Sequence, residues 1–228
     1  MPEQPFHRAD APEPLAYVLG EVRFRRLVLA ADRRAFIPRP GTEVLVDRCL
    51  RLLRGVAEPR VLDVGTGSGA IALAIAAEQP RARVTAVDVS ADALALAREN
   101  AVRTGLAGRV RFRRGHLLAG LAGPFDLVVS NPPYLTAAAL ELLDPEARFH
   151  EPRAALVGER LGPLIAAQAR AALAPEGRLV LECGAGQAAG LAGELRSLGY
   201  ESVVATPDGD GRDRVVEGTR PVARRLAA

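Results

Sequence analysis

A tetrapeptide at the end of an apolar strand, Asn131-Pro132-Pro133-Tyr134, carries residue types suited to holding a ligand. It follows the run FDLVV at 125–129, and two consecutive prolines cannot donate backbone hydrogen bonds, so the strand must end there. One proline is enough to end a strand, and that role requires neither an amide side chain nor an aromatic ring. We therefore treat these four residues as candidate substrate-binding residues, with Asn131, Pro132 and Tyr134 as the candidates for catalysis.

A second candidate site is the glycine-rich turn DVGTGSG at 63–69, which joins a predicted strand to a predicted helix. Alternating glycines let the backbone approach a ligand closely at a helix N-terminus. The spacing is not GxGxxG and no Lys-Ser/Thr pair ends the turn, which argues against a dinucleotide fold and a phosphate loop. The candidate cofactor-binding residues of this turn are Gly65, Thr66, Gly67, Ser68 and Gly69.

Three titratable residues lie where neighbouring strands of the predicted sheet end. Asp88 ends the second strand, where a carboxylate can bind both hydroxyls of a ribose. Asp63 either holds the glycine-rich turn or meets the amino group of a cofactor. His116 follows the third strand, and as a lone histidine it either contacts a base or is a surface residue. Together with Asn131, these residues complete the predicted cofactor site.

The elements that position these residues follow an alternating pattern from Arg60 onward. Near-continuous apolar strands are separated by amphipathic helices, which indicates a mainly parallel sheet covered on both faces. The last two of the seven strands are joined by PDGDG, too short for a crossover, so they must be antiparallel. Upstream, EVRFRRLVLAA predicts a β-hairpin, and Thr42 is predicted to cap the next helix.

Composition excludes several classes of protein. The 228 residues carry a net charge of +3, too small to indicate a nucleic-acid-binding protein. The arginine clusters at 23–26 and 109–114 are interpreted as solvated strand faces. Cys49 and Cys183 show no metal-ligand spacing and are expected to be reduced core residues, with no metal site. No signal peptide or membrane span is apparent, so a cytoplasmic location without membrane association is expected.

With a downstream NPPY, the glycine-rich turn and Asp88 resemble those of class I S-adenosylmethionine-dependent methyltransferases. The resemblance implies a Rossmann-like fold and S-adenosyl-L-methionine as cofactor, with its methionine and ribose parts against the turn and its ribose on Asp88. It also implies that the Asn131 side-chain oxygen and the Pro132 carbonyl accept the two N–H bonds of a planar NH2 group, while Tyr134 packs on that group.

A longer resemblance covers about residues 14 to 218. The segments EPLAYVLG, PRPGTE, FHEPRAALVG, LVLECGAGQ and GRDRVVEG resemble those of the HemK-type protein-(glutamine-N5) methyltransferases, which act on release factors. This resemblance implies that Asn131, Pro132 and Tyr134 hold a glutamine side-chain amide, with Phe36 as part of the pocket wall. The expected partner is a protein with an exposed glutamine, such as a peptide chain release factor.

Three departures from that family pattern keep other acceptors open. Gly41 stands where glutamate is usual, VGERLG replaces a Gly-Gly-x-Asp-Gly turn, and the usual N-terminal helical domain is expected to be missing. A small-molecule amine is one alternative acceptor. Adenine in RNA or DNA is another, and it predicts a continuous basic face around the site. A non-catalytic cofactor-binding protein is the remaining alternative.

The predicted organisation has four parts. Residues 1–13 form a flexible tail, 14–40 a hairpin segment at the substrate pocket, 41–220 the methyltransferase domain, and 221–228 a C-terminal tail.

Overall fold

The computed structural model describes residues 11–222, so most of the tails predicted at 1–13 and 221–228 lies outside the described residues. The described residues form eight α-helices and nine β-strands. The strands are β1 Glu21–Phe24, β2 Leu27–Ala30, β3 Arg60–Val64, β4 Arg83–Asp88, β5 Val110–Arg114, β6 Phe125–Ser130, β7 Leu173–Glu182, β8 Glu201–Pro207 and β9 Asp213–Thr219. The helices are α1 Leu15–Leu19, α2 Pro40–Leu52, α3 Ala70–Glu78, α4 Ala91–Arg103, α5 Ala137–Leu140, α6 Pro145–His150, α7 Leu161–Ala172 and α8 Ala188–Ser197.

The main sheet has seven strands in the order β5-β4-β3-β6-β7-β9-β8. Strands β3 to β7 run parallel, whereas β9 is antiparallel to both β7 and β8. The predicted fold is confirmed, including the antiparallel edge pair, with β9 inserted between β7 and β8. Strand order reverses between β3 and β6, and in open α/β sheets ligands bind at the carboxyl ends of the strands beside such a reversal.

Helices cover both faces of the sheet, which explains why the strands read as continuous apolar runs. One face packs against α2, α3 and α4, and its core includes Leu45, Leu73 and Val129. The other face packs against α7 and α8, with Ile165 and Leu195 in its core. Each such buried side chain stabilises the fold by roughly 1.5–3 kcal/mol relative to exposure. The sheet edge that carries the site is thus held rigid from both sides.

The predicted hairpin is present as β1 and β2, paired antiparallel. The prediction that the arginines at 23–26 are solvated is wrong for Arg25, which lies in the turn with φ 53° rather than on a strand. Arg25 pairs with Glu78 and, at 2.9 Å, with Asp47, and its side chain is 13% exposed. The alternation of arginines in the sequence could not show that the turn places the Arg25 guanidinium against helices α2 and α3. On β5, Arg111 and Arg113 are exposed as predicted.

The hairpin is bound to the sheet domain through Asn100 of α4. The Asn100 amide is fully buried; its Oδ1 accepts a hydrogen bond from Ala30 N at 2.6 Å. Its Nδ2 donates to Ala30 O at 3.2 Å and to Ser68 O at 3.0 Å. One side chain therefore joins the hairpin, α4 and the glycine-rich turn.

Helix α2 begins three residues earlier than predicted. Pro40 occupies its first turn and Arg39 is the N-cap, with no side-chain capping bond. The prediction that Thr42 caps this helix is wrong, because the fixed φ of Pro40 already suits the first helical position. Thr42 instead lies inside the helix with its side chain buried against the site. Within residues 11–222, no helix is long and apolar enough to cross a membrane.

Candidate active site

A cavity of about 440 Å³ opens at the carboxyl edge of the sheet, where strand order reverses. Its size falls in the range of small-molecule and cofactor sites. Its lining includes the glycine-rich turn and the end of β4, which we name the cofactor end, and the loop after β6 with segment 34–39, which we name the acceptor end. The sequence-predicted cofactor and acceptor residues therefore line one continuous space, with the exceptions of Asp63 and Gly69.

The glycine-rich turn has a backbone that side chains would not permit. Gly65, Gly67 and Gly69 have φ values of 71°, 56° and 84°, in the left-handed region that favours glycine. A Cβ at Gly69 would also lie 3.1 Å from the Ala97 Cβ. The turn thus presents bare backbone at the N-terminus of α3, as a closely approaching ligand requires.

Asp88 connects this turn to the tip of β4. Its Oδ2 accepts a hydrogen bond from Gly67 N at 2.8 Å and its Oδ1 from Ser90 N at 2.9 Å. Each carboxylate oxygen has a second lone pair, so both oxygens can also accept from a ligand hydroxyl. Asp88 lines the cavity in the position predicted for a ribose contact.

Asp63 lies under the turn and does not line the cavity. It is fully buried, and its Oδ2 accepts a hydrogen bond from Thr66 Oγ1 at 2.6 Å. Burial raises the pKa of Asp63 to about 7, and the neighbouring Asp88 adds to the rise. Of the two roles predicted for Asp63, the contact with Thr66 matches support of the turn. His116 is exposed at the cavity rim between Gly115 and Leu117, a placement compatible with either of its predicted roles.

The loop after β6 presents Asn131 to the other end of the cavity. Ser130 Oγ donates to Val64 O at 2.6 Å, which ties the end of β6 to β3. Asn131 Nδ2 donates to Thr42 Oγ1 at 3.3 Å, so the amide nitrogen faces α2 and Oδ1 is the free end of the amide. Pro132 is buried and Pro133 half-buried, and both line the cavity beside Asn131.

Tyr134 is fixed by the segment after β7. Its main-chain oxygen accepts a hydrogen bond from Gln187 Nε2 at 2.9 Å. A Cβ at Gly184 would lie 3.1 Å from the Tyr134 ring, so glycine there lets the ring pack against the backbone. Burial raises the pKa of the Tyr134 hydroxyl, which keeps the ring neutral at physiological pH.

Phe36 lies on the cavity wall, and its position depends on Glu151 after α6. Arg39 lies over the Phe36 ring, 5.0 Å from its centroid, and pairs with the buried Glu151 carboxylate. The same carboxylate accepts a hydrogen bond from Ile37 N at 2.9 Å. Burial raises the pKa of Glu151 although Arg39 opposes the rise. Sequence reasoning did not assign Glu151 a role; its signal was its place in the EPRAAL segment directly before a proline.

The fold and the arrangement of the cavity define a class I S-adenosylmethionine-dependent methyltransferase. The model of the Methyltransferase small domain family matches residues 39–188. A methyltransferase structure from Pyrococcus furiosus superposes with a TM-score of 0.62 over 86% of this chain and 90% of that one, at 20% identity, which supports the fold alone.

Relatives with higher sequence identity show to which methyltransferase family the chain belongs. A release factor glutamine methyltransferase from Deinococcus radiodurans is 50% identical over 218 residues, 93% of this chain and 77% of the relative. Its counterpart from Geobacter sulfurreducens is 44% identical over 90% of this chain and 73% of the relative. The structure of a release factor-specific protein-(glutamine-N5) methyltransferase from Alicyclobacillus acidocaldarius has a TM-score of 0.51 and 34% identity, over 82% of this chain and 95% of that one. The chain belongs to the release factor glutamine methyltransferase family, as its sequence resemblance predicts.

Proposed function

We propose that this protein transfers the methyl group of S-adenosyl-L-methionine to the side-chain amide nitrogen of a glutamine in a peptide chain release factor. The observation that carries the proposal is that one cavity is lined both by the glycine-rich turn with Asp88 and by the NPPY loop. Family membership supports the acceptor, because the relatives are named as release factor glutamine methyltransferases. This function implies action in the cytoplasm.

The cofactor end of the cavity fits S-adenosylmethionine. The bare backbone of the turn can lie against the methionine and ribose parts, and Asp88 can accept hydrogen bonds from two ribose hydroxyls. Gly115, His116 and Leu117 line the part of the cavity that remains for the base. The bound cofactor supplies an electrophilic methyl group on a sulfonium sulfur. The turn and Asp88 would hold the cofactor in the same cavity that the NPPY loop lines.

The acceptor end addresses the weak nucleophilicity of an amide nitrogen, whose lone pair is delocalised. In our proposal, Asn131 Oδ1 and the Pro132 carbonyl accept the two N–H bonds and orient the NH2 group. Pro132 and Pro133 limit backbone motion, so these acceptors are set before the glutamine enters. Tyr134 and Phe36 pack against the planar amide. No strong base is needed before attack, because the proton can leave afterward.

Charges around the cavity favour a protein acceptor over a nucleic acid. Among the described residues that line the cavity, the arginines are Arg34 and Arg39. Arg34 pairs with Asp32 and Glu99, and Arg39 pairs with Glu151. A phosphate backbone would need cationic groups that are free to neutralise it. Both arginines of the described lining are therefore already paired with carboxylates.

The segment 14–40 is part of the proposed substrate site, because Phe36 lies within it and Asn100 fixes its hairpin to the domain at 41–220.

Isotope-labelled cofactor tests the proposal directly. The protein is incubated with a full-length release factor carrying a Gly-Gly-Gln tripeptide, and the matched control carries Gly-Gly-Asn. Total RNA and an extract of small metabolites are incubated in parallel. We expect label only in the glutamine-containing factor, on the side-chain amide by mass spectrometry of its peptides. Label confined to RNA or to metabolites would refute the protein acceptor.

A further inference from the structure

A buried carboxyl group lies behind the NPPY loop and has no role in the chemistry described above. Glu182 ends β7 and is only 4% exposed. Ser130 pairs with Leu181 in the parallel β6–β7 ladder, so Asn131 and Glu182 each come directly after this last pair. Within the described part of the chain, Glu182 Oε2 has no hydrogen-bond partner.

Thr42 of α2 connects this carboxyl group to Asn131. Its side chain is buried, and its Oγ1 accepts the hydrogen bond from Asn131 Nδ2. The Thr42 hydroxyl is also close enough to the Glu182 carboxyl to lower the pKa of that carboxyl. Three polar side chains, from α2, from the loop after β6 and from the end of β7, thus lie next to one another at the cavity.

The direction of the hydrogen bonds in this chain follows from the donors available. A hydroxyl has one hydrogen to donate, and an ionised carboxylate can only accept. The lone pair of Thr42 Oγ1 takes a hydrogen of Asn131, so the hydroxyl keeps its own hydrogen free to turn toward an ionised Glu182. Asn131 then has to turn its NH2 group toward Thr42, which leaves its oxygen for a ligand.

We propose that Glu182 is a positioning residue that acts through the Thr42 hydroxyl to hold the Asn131 amide with its oxygen toward the methyl acceptor. The inference rests on the proposed role of Asn131 as an acceptor of N–H bonds. If the amide were reversed, its NH2 group would face the NH2 group of the substrate, and no hydrogen bond would form between two donors.

The ionisation state of Glu182 determines whether the Asn131 amide is held in this orientation. Burial raises the pKa of Glu182 to about 7, whereas Thr42 and Arg214 oppose the rise. Arg214 of β9 also pairs with Asp208 at 3.1 Å, and Tyr134 and Cys183 are the other titratable groups beside the carboxyl. The pKa of each is raised, so both are neutral when Glu182 titrates. Below about pH 7 a protonated Glu182 no longer requires the hydrogen of Thr42, and Asn131 loses its fixed orientation.

Two variants of Thr42 separate the effect of its hydroxyl group from the effect of its side-chain volume. Thr42→Val has nearly the same shape without the hydroxyl, and we expect kcat to fall roughly tenfold to a hundredfold while cofactor affinity stays within about twofold. Thr42→Ser restores the hydroxyl, and kcat is expected to return to within about threefold of the original rate. Equal rates for the two variants would overturn the proposal.

Glu182→Gln tests the titration with little change of shape. We expect the original enzyme to lose kcat as the pH falls through about 7, and the variant to be slow at every pH without that step. Asp63 has its pKa raised to a similar value, so an acid limb that persists in Glu182→Gln would assign the titration to Asp63 and contradict our inference.

A measurement without any methyl acceptor separates this proposal from the proposed function. The sequence contains two asparagines, Asn100 and Asn131, so selective nitrogen-15 labelling yields two side-chain amide signals in NMR spectra. We expect the Asn131 signals to shift between about pH 6 and pH 8 and to stay fixed in Glu182→Gln, with buried Asn100 as internal reference. Constant Asn131 signals would refute the network, even if glutamine methylation is confirmed. A shift lost in Glu182→Gln would support it, even if the acceptor proves to be another molecule.

Discussion

The two ends of the cavity differ in whether main-chain atoms or side chains form them. The cofactor end is mostly backbone: a short glycine-rich turn and one aspartate whose oxygens are held by main-chain amides. The acceptor end is mostly side chains, and they come from distant parts of the chain: Phe36, Thr42, Asn131 and Glu151. A backbone site is specified by a local motif, whereas a side-chain site depends on contacts that only the complete fold creates. Substitutions should therefore affect the two ends differently.

The largest effect is expected at the acceptor end. Asn131→Ala removes one of the two proposed acceptors for the NH2 group, so we predict that kcat falls about a thousandfold. Cofactor affinity, measured by calorimetry, should stay within about twofold. Turnover above a tenth of the original rate would show that Asn131 does not orient the acceptor.

A second effect belongs to the cofactor end. Asp88→Ala removes the proposed ribose contacts and leaves Gly67 N without its partner, and we predict cofactor binding about thirtyfold weaker. Asp92→Ala, which removes an exposed carboxylate of the nearby α4, is the matched control and should not change affinity. Equal affinities for the two variants would refute the ribose assignment.

A smaller effect is expected for Glu151, and it should change acceptor binding without changing cofactor binding. Glu151→Gln can still accept from Ile37 N but loses the charge that holds Arg39 over Phe36. We predict an increase of about tenfold in KM for the protein acceptor with unchanged cofactor affinity. The exposed Glu159 provides the control, Glu159→Gln. A loss of cofactor affinity in Glu151→Gln would mean that the two ends are not separable.

The smallest effect is expected at His116, on the rim of the cofactor end. Because its side chain is exposed, His116→Ala should weaken cofactor binding by less than about threefold in calorimetry. A tenfold loss would show that the ring contacts the base and that this end also depends on a side chain.

The sequence was sufficient to predict the sheet and the family, because apolar strands, amphipathic helices and glycine residues at turns are local signals. It was not sufficient for the supports of the acceptor end. Thr42 was predicted to be a cap because threonine before a helical pattern is a common local signal, and its burial against Asn131 depends on how α2 packs across the sheet. Glu151 and Glu182 lie in segments that resemble the family, but the sequence does not indicate which residues they contact. Only the fold places them beside Phe36 and Thr42.

Asn100 limits how this sequence can change. Its amide donates twice and accepts once among buried main-chain groups of two segments. Aspartate at this position would lack both donors, leucine would leave all three main-chain groups unpaired, and glutamine would be one methylene too long for the same space. We therefore expect asparagine at this position of α4 wherever a homologue keeps both the hairpin and the glycine-rich turn. A homologue with another residue there should have lost one of those two segments, so this position can serve as a marker when new members of the family are compared.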